Sequence, residues 1–268
     1  MRFLNLACGD IFVTSTLWEN CDFAPKSKDI KQVNLLGGLP YGDETFDLAY
    51  CSHYIEHIPK KEVLNFLKEC HRVLKPNGLI RLVLPNFENI AREYIKNIDQ
   101  GNLIYSEFNI VEMVDQCTRN ESGGELIKWY RSTSPDSDLY SYIKSRTGYE
   151  SNPNRKDSEF FWINFKNYSL NKFKFKAQFI YSKLMISTLP KWFQLNHVSR
   201  TATGEKHLWV YDFNSISNVL RHAGFSSIIE KDSHNSSNAL FPVFPLDVDS
   251  NNETRKGAES MYIEAMKI

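Results

Sequence analysis

The chain has 268 residues, of which 42% are hydrophobic and 24% charged, enough apolar material for one sizeable core or a core with a smaller appendage. Lys plus Arg and Asp plus Glu each total 32, so the formal net charge is zero and no global field draws the chain to nucleic acid. We therefore expect no nucleic-acid partner.

The location of the protein is predicted from its N-terminus and its thiols. The N-terminal residues become polar too soon for a signal peptide, and no uncharged apolar run approaches the length of a membrane span. The cysteines are odd in number and lack paired spacing, which favours reduced thiols over a disulfide framework; they are Cys8, Cys21, Cys51, Cys70 and Cys117. The sequence thus predicts a cytoplasmic protein without membrane insertion.

Short apolar runs separated by turn residues follow one another in the first third of the chain. Residues 3–6 and 18–21 are predicted strands, and residues 46–51 are apolar enough for a buried strand. A helix follows Pro59, because apolar residues recur at helical spacing up to Leu74, and it is expected to end at the turn of residues 75–78. A further strand over residues 79–84 would complete a right-handed crossover in a parallel sheet.

The pattern changes between residues 99 and 205, where helical stretches, polar loops and dense aromatics replace short strands. About a hundred residues is too long for a loop, so an inserted helical subdomain or cap is predicted at 99–205. The sheet domain then comprises residues 1–98 and 206–268, with a late helix capped by Asp212 and final strands over 226–230 and 261–265. Between these two strands the sequence predicts a polar, flexible excursion over residues 233–259. The predicted fold class is α/β, with a doubly wound sheet.

Ligands of a doubly wound sheet bind beyond the carboxyl ends of its strands. The turn of residues 7–9 ends the first strand, and Gly9 allows a ligand to approach the backbone closely. Asp22 ends the next strand and can accept hydrogen bonds from a ribose diol. A tight turn followed by a surface acid explains the same residues, and the two interpretations stand about equal on this feature alone.

Several segments in order resemble the class I S-adenosylmethionine-dependent methyltransferases, in particular the small bacterial type found in the biosynthesis of surface polysaccharides such as capsule. Residues 4–9 (Leu-Asn-Leu-Ala-Cys-Gly) resemble the first motif, and residues 18–22 resemble the ribose-binding strand end. Residues 52–58 (Ser-His-Tyr-Ile-Glu-His-Ile) resemble the segment after the fourth strand, and residues 72–78 the turn from helix to strand. The resemblance covers about the first 90 and last 65 residues and implies a seven-stranded, Rossmann-like sheet with an antiparallel last strand.

The resemblance also implies a cofactor site for S-adenosylmethionine, with S-adenosylhomocysteine as the product. Ala7, Cys8 and Gly9 would line the methionine part, and Asp22 would hold the ribose hydroxyls. Asn34 and Leu35 would flank the adenine. The family usually has glycine at the Ala7 position and aspartate at the Asn34 position, but asparagine can still bond to adenine, so binding is expected to survive. The remaining predicted cofactor residues are Asn5, Ser52 and His53.

The candidate catalytic residues come directly after the predicted fourth strand. His53 suits removal of a proton from an acceptor hydroxyl at neutral pH. Glu56 and His57, three and four residues on, can share one helical face with it, an arrangement that also suits a divalent metal, although no metal is expected. The same spacing is that of inverted zinc proteases, which Pro59 disfavours by breaking a long helix. Alternatively, His57 packs locally and Glu56 holds the loop through backbone amides.

Two further residues precede the late helix. His207 and Tyr211 are second candidates for acceptor-side catalytic groups, and a buried aromatic cluster with Trp209 is the slightly favoured alternative.

Basic and aromatic residues alternate in the insertion, at 160–162, 172–176 and 191–193. Such a stripe can stack nucleic-acid bases or lie on an anionic membrane, but a helix core with solvated lysines or a homodimer interface through the insertion is favoured.

Together, the motifs and the resemblance predict methyl transfer to a small-molecule acceptor, a hydroxyl of a sugar or of a phosphorylated precursor of surface polysaccharide. The alternatives are a catalytically silent binding partner, a nucleic-acid methyltransferase and an NAD-type dehydrogenase; the last is disfavoured because the first loop lacks Gly-x-Gly-x-x-Gly.

Overall fold

The computed structural model describes residues 1–148, 180–201 and 204–268. The basic aromatic segments predicted at 160–162 and 172–176 lie outside these residues. Among the described residues, no helix is both long and apolar enough to cross a membrane.

One seven-stranded sheet organises the chain, in the order β3-β2-β1-β4-β5-β7-β6. Strands β1 to β5 pair in parallel, whereas β7 runs antiparallel to both of its neighbours, β5 and β6. The predicted α/β fold, with a mostly parallel sheet and an antiparallel last strand, is therefore confirmed. The strands are β1 (Phe3–Leu6), β2 (Trp18–Asp22), β3 (Lys31–Gln32), β4 (Phe46–Ser52), β5 (Leu74–Pro85), β6 (Phe225–Lys231) and β7 (Ser260–Lys267).

The helix after β4 joins the next strand without the predicted loop. Helix α1 spans Lys60–Val73, and β5 begins at Leu74. Leu74 pairs with Phe46, but the ladder resumes only at Leu79, so the predicted turn is a bulge inside the strand. Within the bulge, Asn77 adopts a left-handed backbone conformation (φ 62°), which asparagine tolerates better than most residues.

The two faces of the sheet are covered differently. Helices α1 and α8 (Phe213–His222) cover one face, where Leu67 and Leu220 are fully buried in the main core. The capping box of Asp212 and Ser215 begins α8 at the residue predicted from the sequence. On the opposite face, the 233–259 segment packs Phe241 and Leu246 against the sheet.

The expectation that this segment is flexible is wrong, and the reason is a buried cation. Arg81 lies on β5 with no exposed surface, and its guanidinium is 2.7 Å from both Asp247 Oδ2 and Glu264 Oε1. The hydroxyl of Tyr50 donates to the other oxygen of Asp247 at 2.7 Å. Because a buried charge needs a partner, the segment that carries Asp247 is held against the sheet.

The described residues of the cap region form helices joined by short irregular connections. A small core of its own buries Phe108, Tyr130 and Ile143. Asn97 joins the preceding helix to the cap by donating to Asn109 Oδ1 at 2.9 Å. The boundary at residue 99 and the homodimer stay predictions. The helices are α2 (Phe87–Asp99), α3 (Leu103–Thr118), α4 (Gly124–Ser132), α5 (Asp138–Thr147), α6 (residues 180–188) and α7 (Lys191–His197).

Candidate active site

The turn after β1 and the acid after β2 lie side by side. The backbone N–H of Gly9 donates to Asp22 Oδ2 at 3.0 Å, and the N–H of Ala24 donates to Oδ1 at 2.8 Å. Ala7 and Gly9 both have left-handed backbone conformations (φ 52° and 55°), which turn the chain sharply after the strand. A Cβ atom built on Gly9 would meet no described atom within 4 Å, so the space above the turn is open. Each Asp22 oxygen keeps a lone pair for further donors.

Asn5 and Cys8, two of the predicted cofactor residues, are both buried. Asn5 is buried, and its amide donates to Asn20 Oδ1 and to the carbonyl oxygen of Ile11, both at 3.1 Å. Burial raises the pKa of the Cys8 thiol to about 12, and Asp22 adds to the effect, so Cys8 is a neutral thiol. Both N–H groups of the Asn5 amide are thus used within the protein, where they position the loop.

Of the two residues predicted to flank the adenine, only Asn34 has an exposed side chain. Asn34 is exposed, and its Oδ1 accepts from the Leu36 N–H at 3.2 Å, but Leu35 is 2% exposed and packs in the main core. The predicted adenine contact of Leu35 therefore cannot be made by its side chain, which lies in the core. The sequence reasoning missed the exposed apolar residues at this edge, Phe23 and Leu36, which are 59% and 45% exposed. The signal was an apolar residue directly after the acid of β2.

His53 begins the second part of the site, immediately after Ser52 ends β4. Its Nδ1 lies 3.3 Å from Glu56 Oε1, and its Nε2 lies 3.1 Å from Ser260 Oγ. The prediction that His53, Glu56 and His57 share a helical face is wrong, because the 3-10 helix covers only Ile55–His57. His53 precedes it with a left-handed backbone (φ 49°), and this turn brings its ring back to Glu56. Burial lowers the pKa of His53, and the nearby Lys256 lowers it further.

The structure adds His207 to Glu56 and His57. The N–H groups of Leu208 and Trp209 donate to the Glu56 carbonyl oxygen at 2.7 and 3.3 Å, which holds the chain after His207 against the loop after β4. The rings of His57 and His207 meet edge to face with their centroids 4.8 Å apart. The alternative in which Glu56 holds its loop through backbone amides is wrong, because neither of its side-chain oxygens accepts a hydrogen bond from a described residue and the side chain faces the imidazoles.

The pKa values of Glu56 and His207 are both shifted downward. Burial opposes ionisation of Glu56, but the three neighbouring histidines outweigh it and lower the pKa of Glu56 to about 2. Burial lowers the pKa of His207 to about 4. At neutral pH, a carboxylate therefore lies beside a neutral imidazole. The metal option that we predicted used His53, Glu56 and His57, but the atoms that converge belong to Glu56, His57 and His207.

Tyr211 and Trp209 do not form one cluster, because Tyr211 is buried and Trp209 is exposed. Tyr211 is 3% exposed in the main core, where burial raises the pKa of its hydroxyl to about 12, with a contribution from Glu56. Trp209 is 41% exposed, with the ammonium of Lys60 3.8 Å above its ring. The predicted aromatic cluster is therefore wrong for Trp209. Tyr211, a candidate catalytic residue, is placed in the core.

A cavity of about 150 Å³ lies between the sheet domain and the cap. His53 forms its sheet side, and the cap and the 233–259 segment supply mostly polar residues, among them Glu112, Asp115, Gln116, Lys256 and Glu259. Arg146 lies 2.8 Å from Glu112 Oε1, and Arg119 pairs with Asp115, so both of these carboxylates carry a buried partner. Burial raises the pKa of Glu259 to about 8 and lowers that of Lys256. The lining offers acceptors and donors at fixed positions.

Comparisons with known sequences match only part of the chain. Residues 4–82 match a protein-family model described as a methyltransferase domain. The probable methyltransferase ltbC of Aspergillus luteorubrus is 40% identical over 57 residues, 21% of this chain and 20% of that protein. The demethylmenaquinone methyltransferase of Lysinibacillus sphaericus is 31% identical over 83 residues, 27% of this chain and 35% of that protein. The chain thus spans between a fifth and about a third of these relatives.

Solved structures resemble the chain over its full length at low identity. A SAM-dependent methyltransferase of Thermotoga maritima, a possible histamine N-methyltransferase, has a TM-score of 0.40 and 12% identity, covering 100% of this chain and 82% of its own. A SAM-dependent methyltransferase of Archaeoglobus fulgidus has a TM-score of 0.39 and 12% identity, covering 99% and 86%. The strand order is that of a doubly wound, mostly parallel sheet, and residues 4–82 within it are similar to a methyltransferase domain.

Proposed function

We propose that this protein transfers a methyl group from S-adenosylmethionine to a hydroxyl of a small polar acceptor. The observation that carries the proposal is the juxtaposition of two half-sites at one edge of the sheet. Leu6 at the end of β1 is the register partner of Cys51 in β4, and neighbouring strands lie roughly 4.8 Å apart. The turn at Gly9 and the side chain of His53 therefore follow adjacent strand ends, which is where doubly wound sheets bind ligands.

The residues present fit the cofactor. Open space above Gly9 admits a ligand close to the backbone, and Asp22 is already fixed by two N–H groups with lone pairs left for ribose hydroxyls. Phe23 and Leu36 supply exposed apolar surface for an adenine ring. The bound cofactor supplies a methyl group already activated by its sulfonium.

The chain's own contribution is to orient the acceptor and to take a proton. Methyl transfer from a sulfonium depends mainly on proximity, alignment and a dry site. His53 is the histidine that lines the cavity, and its Nδ1 lies 3.3 Å from Glu56 Oε1. We assign to Nε2, the nitrogen near Ser260, the acceptance of the hydroxyl proton.

The cavity lining supports a polyhydroxylated acceptor. Glu112, Asp115 and Gln116 present oxygens that accept hydrogen bonds from hydroxyl groups, and Lys256 offers a donor. About 150 Å³ is the space of roughly five water molecules, which suits one small ring. Because the lining is mostly polar, a polar acceptor such as a sugar is favoured over an apolar quinone. A role in surface polysaccharide rests on the sequence resemblance.

Calorimetry tests the cofactor half of the proposal. S-adenosylhomocysteine is expected to bind with one site per chain, and NAD is not. Binding of NAD alone would replace the proposal with a dehydrogenase, whereas binding of neither ligand would refute it.

A methyl-transfer screen with sugars, nucleotide sugars and sugar phosphates tests the acceptor half. His53→Asn is expected to lower kcat by roughly 10²- to 10⁴-fold with unchanged affinity for S-adenosylhomocysteine. The matched control is His222→Asn, an exposed histidine at the end of α8, which should keep full activity. Cofactor binding without methyl consumption on any acceptor would favour the catalytically silent partner.

A further inference from the structure

Glu56, His57 and His207 form a three-residue cluster outside the cavity lining. One ligand atom from each of them lies within 4.8 Å of the others. Glu56 and His207 are 1% and 6% exposed, and the side chain of His57 is 15% exposed. We propose that these three side chains bind a divalent transition-metal ion of the Zn²⁺ class, independently of the proposed methyl transfer.

The carboxylate of Glu56 is the first argument. It is buried, and neither of its oxygens receives a hydrogen bond from any described residue. Its nearest polar neighbours are His53 Nδ1 at 3.3 Å and His57 Nε2 at 3.9 Å. Buried carboxylates are normally satisfied by hydrogen-bond donors or by a metal, and here the described side chains offer only imidazole nitrogens at these longer distances. A bound cation would give the Glu56 oxygens the direct partner that they lack.

The orientation of His57 is the second argument. Its Nδ1 lies 2.9 Å from the carbonyl oxygen of Lys206. A carbonyl only accepts, so Nδ1 carries the proton and Nε2 keeps its lone pair on the side of Glu56. Metal-binding histidines in proteins are usually fixed in this way, with one nitrogen donating to a carbonyl and the other free for the metal.

The backbone brings the third ligand to the other two. The N–H of His207 donates to the carbonyl oxygen of Gln116 at 2.8 Å, and the next N–H, that of Leu208, donates to the Glu56 carbonyl oxygen at 2.7 Å. These bonds hold His207 beside Glu56 and His57 before any ion binds. An ion at this point ties the loop after β4 to the chain that returns from the cap.

The ligand atoms must move closer together to bind a small ion. Zn²⁺ takes nitrogen and carboxylate ligands at roughly 2.0–2.1 Å, which places tetrahedral ligand atoms about 3.4 Å apart. His57 Nε2 and Glu56 Oε1 are 3.9 Å apart and all three ligand atoms lie within 4.8 Å, so side-chain rotations have to close these separations by up to about 1.4 Å. Two imidazoles and one carboxylate are donors that Zn²⁺ and its neighbours in the transition series accept.

The test is metal content and spectroscopy. Chelator-stripped protein is titrated with Zn²⁺, and elemental analysis after desalting is expected to give one ion per chain. His207→Ala and Glu56→Gln are each expected to weaken binding at least 100-fold, while the control His222→Ala leaves it unchanged. Co²⁺ bound to the wild-type protein should give the intense visible bands of a four- or five-coordinate site with nitrogen ligands, a readout that requires no variant to fold.

Three outcomes would overturn the proposal. The first is absence of stoichiometric Zn²⁺ on the wild-type chain, and the second is a weak octahedral Co²⁺ spectrum. The third is loss of the ion in His53→Ala with retention in His207→Ala, which would assign the ligands to His53, Glu56 and His57. The methyl-transfer proposal is tested separately, since binding of S-adenosylhomocysteine does not require the ion.

Discussion

Replacing Asp22 by asparagine tests the proposed ribose contact with little change in shape. The carboxylate accepts from Gly9 and Ala24 through its two oxygens and has one further lone pair on each. The amide of asparagine keeps one accepting oxygen, which can still hold Ala24. Its NH₂ group would face the N–H of Gly9, so the turn loses one hydrogen bond and the ribose loses a charged acceptor.

The size of the effect follows from the kind of hydrogen bond that is lost. A hydrogen bond to a charged group contributes about 1.5–3 kcal/mol, and a bond between neutral groups about 1 kcal/mol. We expect the free energy of cofactor binding to weaken by about 2–3 kcal/mol, which is roughly a 30- to 150-fold higher Kd. The free energy of unfolding should fall by only about 1 kcal/mol, because the site is half-exposed and one bond to the turn is kept.

The assay is calorimetric titration with S-adenosylhomocysteine, alongside urea unfolding of the same samples. Asp29→Asn is the matched control, since Asp29 is an exposed acid a few residues further along the same segment. If Asp22→Asn binds within threefold of the wild type while remaining folded, the assignment of Asp22 to the ribose is refuted. A large loss in the control as well would show that net charge, and not this carboxylate, sets the affinity.

Three further changes test the framework of the site. Asp247→Ala leaves Arg81 with one carboxylate fewer in a dry environment and should lower the free energy of unfolding by about 3–5 kcal/mol in urea; a loss below 1 kcal/mol would contradict the buried pair. Glu259 has a pKa of about 8 in the fold against 4.5 for the free side chain, so its contribution to stability is full below pH 4.5 and is lost as the pH rises to 8. Glu259→Gln should therefore flatten the decline in unfolding free energy between pH 5 and 8, and an unchanged slope would count against it. A Cβ on Gly257 would overlap the carbonyl oxygen of Arg146, so Gly257→Ala should lower the free energy of unfolding by about 1–3 kcal/mol and speed proteolysis of the cap. A proteolysis rate equal to that of the wild type would show that the backbone around Arg146 moves aside at no cost.

The sheet and its order of elements were largely predictable because their signals are local. Strand β1 and helix α1 follow from apolar periodicity within a few residues, and the resemblance supplied the antiparallel last strand. The start of β5 was misplaced, since the turn residues from Lys75 to Gly78 are a bulge within a strand, and only pairing with β4 distinguishes the two. The same limit applies to Leu35 and Leu36, where burial depends on the neighbouring layer and not on residue type.

The sequence by itself determined that Gly9 and Asp22 lie together, because they end consecutive strands and parallel strands present their carboxyl ends at one edge. It could not bring His207 to Glu56, nor Asp247 to Arg81, since each pair is separated by about 150 residues or more and has no local pattern. Those contacts were decided by the tertiary structure. Buried charges and unpaired backbone groups must find partners wherever the folded chain offers them, and the sheet fixes which distant segments are near enough to supply one.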